Sequence, residues 1–540
     1  MPSHSPPNEL PSWFIIKVTA IASLGGVLFG YDMGAVAGAL PQLAETFDLE
    51  DSQKERVVSI LYLGGGVGAC VGGALCDWGG RRRTILGTDI VFILGATWLY
   101  FANSYAHVLL GRFVVGVGVA VSGIADVSYL SEVAPSEWRG AIVSVNEACI
   151  SLGFLLAYVA GYAYQLAENE EWRIIFGWAG VVALVQLLGM WSMPESPVWL
   201  AEQGRIEESR RAWQQINNGH SPVEEQNDEP FQAENNEPNI YQHAKPLEHD
   251  PASQSIPSED SSRTWVTLVQ HSQALMLTLS RYRRQIYIAI FLAITQQLCG
   301  QTNVLNYAPF IFAEAAGEED PPAWSTLAIG FVKFFVTVLV ILRIEVWGRR
   351  TLLIGGMALI SIGLFALIVA FGGSGNDPDS WSTNLRSFEL ALPGVLLVVC
   401  GYSISFGPLT WLLTSELFPT DIRGRALGAS TIVTYLVASF VTRTFLSAQS
   451  ALGPSKVFAL YCIITTVGII FAWLAIPDTA EKSAEEVEAA LPRMWWWRYD
   501  HLSLFTDEGT TSSRSFTRSS SGDETIRIEM GSHQSLPELI

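Results

Sequence analysis

Twelve long apolar stretches dominate this chain of 540 residues. A helix needs about 20 residues to cross the roughly 30 Å hydrocarbon core of a membrane, where backbone groups must be hydrogen-bonded within the protein. The stretches lie near residues 13–40, 56–75, 84–102, 107–131, 140–166, 173–193, 285–312, 324–343, 351–372, 389–415, 424–449 and 455–476. A hydrophobic fraction of 49% and a charged fraction of 16% agree with this pattern. We therefore predict an all-α integral membrane protein with twelve transmembrane helices.

Two charged motifs occur twice, once in each half of the chain. In the first, an acid is followed three residues later by glycine and then by two arginines; in the second, a Ser-Glu pair precedes proline and then an Arg-Gly pair. Their charged residues are Asp77, Arg81, Arg82, Glu132 and Arg139, then Glu345, Arg349, Arg350, Glu416 and Arg423. This repetition predicts two related six-helix halves, at residues 13–193 and 285–476. Such repeats are common in secondary transporters, which hold their substrate between the halves.

Basic residues concentrate in the loops on one side of the predicted membrane. These loops carry Arg81–Arg83, Arg139, Arg205, Arg210, Arg211, Arg281, Arg283, Arg284, Arg349, Arg350, Arg423 and Arg425. The opposite loops are acidic or neutral, as at residues 168–171 and 314–320. Because short basic loops stay on the cytoplasmic side, both termini are predicted to be cytoplasmic. The plasma membrane is the default location, and the membrane of an acidic vacuole or endosome is the alternative.

Three polar segments, residues 1–12, 194–284 and 477–540, lie outside the two halves. The first is predicted to be a cytoplasmic tail. The second is predicted to contain short helices and a disordered acidic stretch at 217–262, and the third a cytoplasmic helix followed by a Ser/Thr-rich tail. Between Val223 and Asp260 ten acids face one lysine, so the net charge of −20 does not indicate a nucleic-acid partner. The six cysteines are not spaced as metal ligands, and no cofactor is predicted.

Taken together, the motifs resemble the sugar porter family of the major facilitator superfamily. The matching residues are Gly30–Asp32, Asp77–Arg82, Gly111–Arg112, Glu132–Arg139, Pro194–Pro197, Gln296–Gln297, Glu345–Arg350, Gly407–Pro408, Trp411, Glu416–Arg423 and Pro477–Thr479. The resemblance covers residues 15–488 without the acidic stretch. It implies the major facilitator fold and transport by alternating access across the lipid bilayer. Within the family, the chain resembles the class III facilitative glucose transporters, a branch that includes proton-linked hexose and inositol carriers. The residues that carry this resemblance are Glu147, Lys333, Ser403 and Asn303, which lies one place from the usual asparagine of the seventh helix.

A sugar needs amide and carboxylate partners for its hydroxyls and an aromatic face for its C–H surface. The candidate substrate-binding residues are Gln296, Gln297, Asn303, Glu147, Trp411, Lys333 and Ser403. Hydrogen bonds between helices are the alternative role for the two glutamines. Glu147 and Lys333 come from opposite halves and can pair across the site. The alternative is that Glu147 is itself protonated and Lys333 reaches a different acid.

Asp32 and Arg112 match an acid and an arginine that face each other in proton-coupled relatives. Buried charges in a membrane need partners, so a movement that separates the two would let Asp32 take up and release a proton. A permanent structural pair in a uniporter is the alternative. Asp126 has no match in these relatives and either helps proton access or makes a structural contact. Arg443 is expected to extend toward the outer membrane surface.

The repeated motif residues are expected to form ion-pair networks that close the cytoplasmic side when the carrier faces outward. The sequence as a whole predicts a carrier for a hexose or related sugar, with proton symport favoured. A proton-linked myo-inositol or polyol carrier, a sugar uniporter and a non-transporting sugar sensor are the alternatives. An enzyme is not predicted, because the sequence contains no nucleophile or metal constellation.

Overall fold

Helices are the only regular elements in the part of the chain that the structure, a computed structural model, describes. That part comprises residues 12–135, 138–166, 172–216, 281–317, 322–372 and 381–477, with residues 479 and 486. The predicted acidic stretch at 217–262, the tail before residue 12 and nearly all of the segment after residue 477 lie outside it.

The N-terminal half contains the first seven helices, and two short helices follow it. They are α1 (Trp13–Ala22), α2 (Leu24–Phe47), α3 (Asp51–Gly79), α4 (Arg81–Tyr100), α5 (Tyr105–Val133), α6 (Arg139–Leu166), α7 (Trp172–Trp191), α8 (Pro197–Glu202) and α9 (Ile206–Ile216). The first predicted span is thus α1 and α2, which are separated by the single residue Ser23.

In the described residues, nine helices follow, and they belong to the C-terminal half. They are α10 (Arg283–Leu298), α11 (Gln301–Asn306), α12 (Ala308–Ala316), α13 (Ala323–Trp347), α14 (Arg349–Gly372), α15 (Trp381–Ile404), α16 (Phe406–Leu417), α17 (Thr420–Leu452) and α18 (Pro454–Ala475). The seventh predicted span is α10 to α12, and the tenth is α15 with α16. All twelve predicted spans therefore correspond to helices, and the predicted fold class is confirmed.

Helix α4 is the least apolar of the spans. Eleven helical segments are long and apolar enough to cross a membrane by length and composition, and α4 is not among them. Three arginines at its start and Asp89 in its middle lower its mean hydropathy. A buried acid in a span usually marks a functional position, because a charge there is costly.

A break at Gly300 divides the seventh span. Its φ of 81° belongs to the left-handed region, which a residue with a side chain adopts at a cost. A Cβ atom added there would also lie 2.6 Å from the ring of Tyr461. The interruption leaves the polar residues of α10 and α11 facing the centre of the molecule, as in transporters with discontinuous helices.

The motif-bearing loops lie at one end of the helices, here called the basic end. The two halves contact each other toward the opposite end and in the middle. On α3 and α17, Ser439 Oγ donates to the carbonyl of Ser59 at 3.1 Å, and on α6 and α13, Ser151 Oγ donates to Thr337 Oγ1 at 3.0 Å. Nearer the basic end, Val71 and Leu75 of α3 are exposed. The described hydrogen bonds between the halves therefore lie toward the opposite end and in the middle.

Glu55 and Arg443 form an ion pair between the halves at the opposite end, with Arg443 Nη1 2.8 Å from Glu55 Oε2. Glu55 is 0% exposed and also accepts hydrogen bonds from the backbone N–H and the hydroxyl of Ser447. Arg443 is 39% exposed at this end, so its side chain reaches the end of the helices opposite the basic end and finds a buried carboxylate there. Sequence analysis missed Glu55 because it lies 388 residues away from Arg443.

Glycines bring several helices within each half into backbone contact. In the C-terminal half, a Cβ added at Gly356 of α14 would lie 2.5 Å from the carbonyl oxygen of Gly401 on α15. In the N-terminal half, Gly30 of α2 and Gly153 of α6 similarly face the backbone of the other helix. Small residues permit this close packing, which replaces the hydrophobic effect as a source of helix association in lipid.

We expect Gly356→Val to destabilise the C-terminal half, because its side chain would have to separate α14 from α15. Overpacking of this kind costs about 1–3 kcal/mol. The neighbouring Gly355→Val is the matched control, since a Cβ at Gly355 meets nothing within 4 Å. Melting temperatures of the purified proteins in detergent compare the two. Equal melting temperatures would contradict the proposed backbone contact.

We expect Glu55→Gln to weaken closure of the opposite end, because the carboxylate that joins α3 to α17 is lost. A cysteine introduced at Ser59, which is buried at this contact, should then react several times faster with a water-soluble maleimide. The measurement requires a background in which the six native cysteines are replaced. Glu45→Gln, an exposed acid-to-amide change on α2, is the control. Unchanged labelling in Glu55→Gln would show that the pair does not hold this end closed.

Candidate functional site

Arg81 is the centre of the N-terminal motif network at the basic end. Its Nε lies 2.9 Å from Glu132 Oε1, and its Nη1 lies 3.5 Å from Asp77 Oδ1. Ser196, in the segment that follows α7, donates its hydroxyl to the other oxygen of Glu132. The network therefore ties α3, α4, α5 and the start of α8 together within one half.

The C-terminal motif forms the same arrangement. Arg349 Nε lies 3.5 Å from Glu416 Oε1, and Thr479 donates its hydroxyl to Glu416 Oε2 at 2.5 Å. Thr479 occupies the place that Ser196 has in the N-terminal half. Neither hydroxyl was predicted to join these networks, although both follow a proline and an acid in the sequence, and this shared spacing was the available signal.

The other predicted gate residues are in varied surroundings. Arg82 donates to the carbonyls of Met190 and Trp191 at 3.0 and 2.7 Å, and its backbone N–H donates to Glu195. Arg350 similarly donates to the carbonyl of Trp473 at 2.5 Å. Arg139 is exposed, Arg423 is half-buried, and the side chain of Glu345 lies outside the described residues. The described contacts of the motif residues thus stay within each half.

Asp32 and Arg112 are brought together in the N-terminal half, and each is 1% exposed. Arg112 Nη1 donates to the backbone carbonyl of Asp32 at 3.1 Å, and its guanidinium lies 5.3 Å from the centre of the Phe176 ring. The two side chains do not form a direct ion pair among the described contacts. Asp32 Oδ2 and Arg112 Nε are both buried without a hydrogen-bond partner in the described part of the chain. The acid is therefore close to the arginine but is not fixed by it.

The break around Gly300 separates the roles of the polar residues in the seventh span. Gln297 Oε1 accepts a hydrogen bond from Thr302 at 2.7 Å, across the break. Asn303 donates to Tyr461 at 2.8 Å and to the carbonyl of Val441 at 3.4 Å. These bonds connect neighbouring helices, which was the alternative role considered for the glutamines. The Asn303 amide N–H groups are thus directed to α17 and α18.

Gln296, Tyr402, Lys333 and Glu147 form a central cluster between the halves. Gln296 Nε2 donates to the hydroxyl of Tyr402 at 2.9 Å, and Lys333 Nζ lies 5.5 Å from the centre of the same ring. A Cβ added at Gly407 would lie 3.7 Å from Glu147 Oε1 and 3.9 Å from the Tyr402 ring. An amide, a phenol, a carboxylate and an ammonium group thus converge here, as recognition of a polyhydroxylated molecule requires.

The charges of Glu147 and Lys333 act on each other, although the described contacts include no direct ion pair between them. Lys333 Nζ also lies 4.8 Å from the centre of the Phe154 ring. One turn further along the same helices, Ser151 and Thr337 make the hydrogen bond between the halves. The two charges therefore lie at the interface that changes when the halves move.

Ser403 and Trp411 lie on either side of this cluster along the tenth span. Ser403 is buried, and its hydroxyl has no hydrogen-bond partner in the described part of the chain. Trp411 is 42% exposed. Tyr402 was missed by sequence analysis because aromatic residues are frequent in apolar stretches, and its neighbour Ser403 was the only signal nearby.

We expect Lys333→Met to destabilise the protein, because it removes the cation nearest to Glu147. An uncompensated charge inside a membrane protein costs a few kcal/mol. In the double variant Glu147→Gln/Lys333→Met, both charges are absent and much of the loss should be recovered. Melting temperatures of the purified variants test this, with the exposed Lys456→Met as the control. If the effects of the two single changes simply add in the double variant, the residues are not coupled.

Comparisons with known proteins agree with this architecture. The family model described as "Sugar (and other) transporter" matches residues 18–491. The chain is 32% identical to the probable metabolite transport protein CsbC of Bacillus subtilis over 474 residues, which cover 87% of this chain and 93% of that protein. It is 28% identical to the galactose-proton symporter of Escherichia coli, with coverage of 88% and 94%.

A solved structure is also similar over most of its length. The inward open conformation of the xylose transporter XylE from E. coli superposes with a TM-score of 0.67 at 25% identity, covering 88% of this chain and 100% of that one. The family is one of membrane transporters, not of enzymes. The chain therefore belongs to the sugar porter family of the major facilitator superfamily and is a multi-pass sugar transporter.

Proposed function

We propose that the protein is a proton symporter for a hexose or a related sugar. The observation that carries this proposal is the state of Asp32, a fully buried acid beside Arg112 with one carboxylate oxygen unpartnered. A carboxylate held ionised by an arginine would make a direct, charge-assisted hydrogen bond to it. Here the arginine bonds to the backbone carbonyl instead, which leaves the acid available to a proton. The similarity to a galactose-proton symporter supports the same proposal.

The basic end is proposed to face the cytoplasm, together with both termini. Short loops rich in arginine stay on that side of a membrane. With this orientation the structure corresponds to an inward-facing carrier, because the halves meet at the opposite end. The similarity to an inward open conformation of XylE is consistent with it. The plasma membrane is the proposed location.

Sugar is proposed to bind at the central cluster, with Gln296 and Glu147 as hydrogen-bonding partners. These groups come from both halves, so a bound sugar makes contacts that depend on how the halves are arranged. Gln297 and Ser403 line neighbouring positions, while Asn303 acts indirectly by holding α11 against α17 and α18. Trp411 would offer an aromatic face to the sugar ring. Closing the basic end would bring the motif networks of the two halves together and complete the alternation.

A carrier for a polyol such as myo-inositol is the second candidate. The central cluster carries both a carboxylate and an ammonium group, and these groups recognise hydroxyls without requiring a pyranose ring oxygen. Uptake measurements with both kinds of substrate separate the two candidates.

We expect Asp32→Asn to abolish accumulation of sugar driven by an inward proton gradient while keeping exchange of sugar down its own gradient. The change removes the proposed proton acceptor but preserves the shape of the side chain. The measurement is uptake of radiolabelled glucose, galactose, fructose and myo-inositol into proteoliposomes, with and without the gradient. Asp48→Asn is the matched control, because Asp48 is an exposed acid at the end of the same helix.

The other outcomes assign the alternatives. Wild-type uptake that is indifferent to the proton gradient would make the protein a uniporter and Asp32 a structural residue. Binding of sugar without any flux would support a sugar sensor. Accumulation of myo-inositol alone would make the polyol carrier the correct candidate.

A further inference from the structure

Two further buried acids lie in the N-terminal half, and neither has a role in the transport cycle described above. Asp89 of α4 and Asp126 of α5 are each 1% exposed. The charge of Asp126 acts on Asp89 through the protein interior. The carboxylate of Asp126 also packs directly against Gly25 of α2, where a Cβ would overlap it.

The hydrogen-bond partners of Asp126 are neutral. Ser122 donates its hydroxyl to Asp126 Oδ2 at 2.5 Å, and Gln186 of α7 lies at 3.5 Å from Oδ1. The described ion pairs include no lysine or arginine bound to either acid. These acids thus differ from Glu132 and Glu55, which each have an arginine partner.

Three further polar atoms are buried here without a partner in the described residues. They are Asp89 Oδ2, Gln186 Oε1 and Ser23 Oγ, and all three side chains are at most 1% exposed. Ser23 is adjacent to the site, because Gln186 Nε2 donates to the carbonyl of the preceding residue, Ala22. Unpartnered oxygens of this kind are costly in a low-dielectric interior. Asp89 Oδ2 and Gln186 Oε1 can only accept a hydrogen bond when both acids are ionised, so each of them lacks a donor in that form.

No described hydrogen bond or ion pair joins either acid to a charged group of the surrounding helices. These groups include Lys17 on α1, Asp32 on α2, Cys76 and Asp77 on α3, Arg81, Arg82 and Arg83 on α4, Arg112 and Glu132 on α5, Glu147 and Cys149 on α6, and Arg173 on α7. Tyr31 on α2 and Tyr129 on α5 donate their hydroxyls to backbone carbonyls. Lys17 is exposed, Arg81 is bonded to Glu132, and Arg112 is bonded to the backbone of Asp32. On α7 the residue that faces the acids is the neutral Gln186.

Two buried carboxylates without a cation cannot both be ionised, because desolvation and mutual repulsion both oppose the second charge. When like acids share a site, one of them keeps a proton, as in dyads of catalytic carboxyl groups. A carboxylic O–H would supply the missing donor to this cluster.

The site is separate from Asp32 and Arg112. Gly25, which contacts Asp126, precedes Asp32 by seven residues on α2, or two helical turns and about 10 Å. Residues seven apart lie on the same face of a helix, so both sites face α5 at different depths. On α5, Asp126 is six residues from Glu132, so the pair lies between Asp32 and the motif network at the basic end.

We propose that Asp89 and Asp126 together hold one exchangeable proton, at a second protonation site of the N-terminal half. The site does not depend on whether Asp32 couples sugar to protons. A sugar porter with this site binds two protons at separate buried positions across a pH titration, where one with Asp32 alone binds one.

Infrared spectroscopy of the full-length protein in lipid nanodiscs tests this proposal. Protonated carboxyl groups give a C=O stretching band that disappears when they ionise, and a pH titration follows it without any transport. The background for the test carries Asp32→Asn and Glu147→Gln, because these two carboxyl groups are also buried without a direct ion pair among the described contacts. We expect this background to retain a titrating band from a buried carboxyl group, and the further changes Asp89→Asn and Asp126→Asn together to remove it. Asp89→Asn should also change the band, because Asp126 is then the only one of the two acids that can hold the proton. Ser122→Ala is the matched control: both carboxyl groups remain, so the band should shift but persist.

Two results would overturn the proposal. The absence of a titrating band in the Asp32→Asn/Glu147→Gln background would mean that no second proton is held, and it would leave the role of Asp32 intact. A band that disappears when sodium replaces choline at constant pH would make the pair a sodium site. Melting temperatures and size-exclusion profiles confirm that each variant is folded. If a variant with several changes is not folded, the single variants Asp89→Asn and Asp126→Asn provide the comparison.

Discussion

The cost of an uncompensated charge inside the membrane governs this structure more than any other interaction. At the basic end, Arg81 and Arg349 each bind a glutamate of their own half. At the opposite end, Glu55 is fully buried and is compensated by Arg443 of the other half. Between these ends, Asp32, Glu147 and Lys333 are near opposite charges that do not bind them directly. Direct ion pairs thus lie at the two ends of the molecule, within each half at the basic end and between the halves at the opposite end. The charges in the centre have no direct ion pair among the described contacts.

The sequence predicts the elements of this fold well because they depend on local properties. A hydrophobic stretch long enough to span the membrane can form only a helix there, so the twelve spans follow from length and hydropathy. The division into halves follows from repeated motif spacing, and the structure confirms its physical basis in the matching Arg81–Glu132 and Arg349–Glu416 contacts. Even α4, whose composition is the least apolar, is recognisable because it follows directly on the first motif.

The candidate site was harder to predict because its geometry depends on contacts between distant helices. Gln296 and Tyr402 are 106 residues apart and are joined by a hydrogen bond that no local sequence pattern predicts. Asn303 is as polar as Gln296, yet the left-handed turn at Gly300 directs it to other helices. The ion pair of Arg443 with Glu55 was not predicted for the same reason. Residue type identifies which side chains need partners inside a membrane, but only the packing decides which partners they find.

The close glycine contacts within each half have a mechanical consequence. Where α14 meets α15, and where α2 meets α6, backbone lies against backbone and no rotamers are available to absorb a displacement. Such helix pairs move together as rigid units. The described contacts between the halves include hydrogen bonds of side chains, such as Arg443 with Glu55 and Ser151 with Thr337, which can exchange partners. The structure can therefore deform mainly at the interface between the two halves. A displacement at any point of one half moves that half as a unit against this interface.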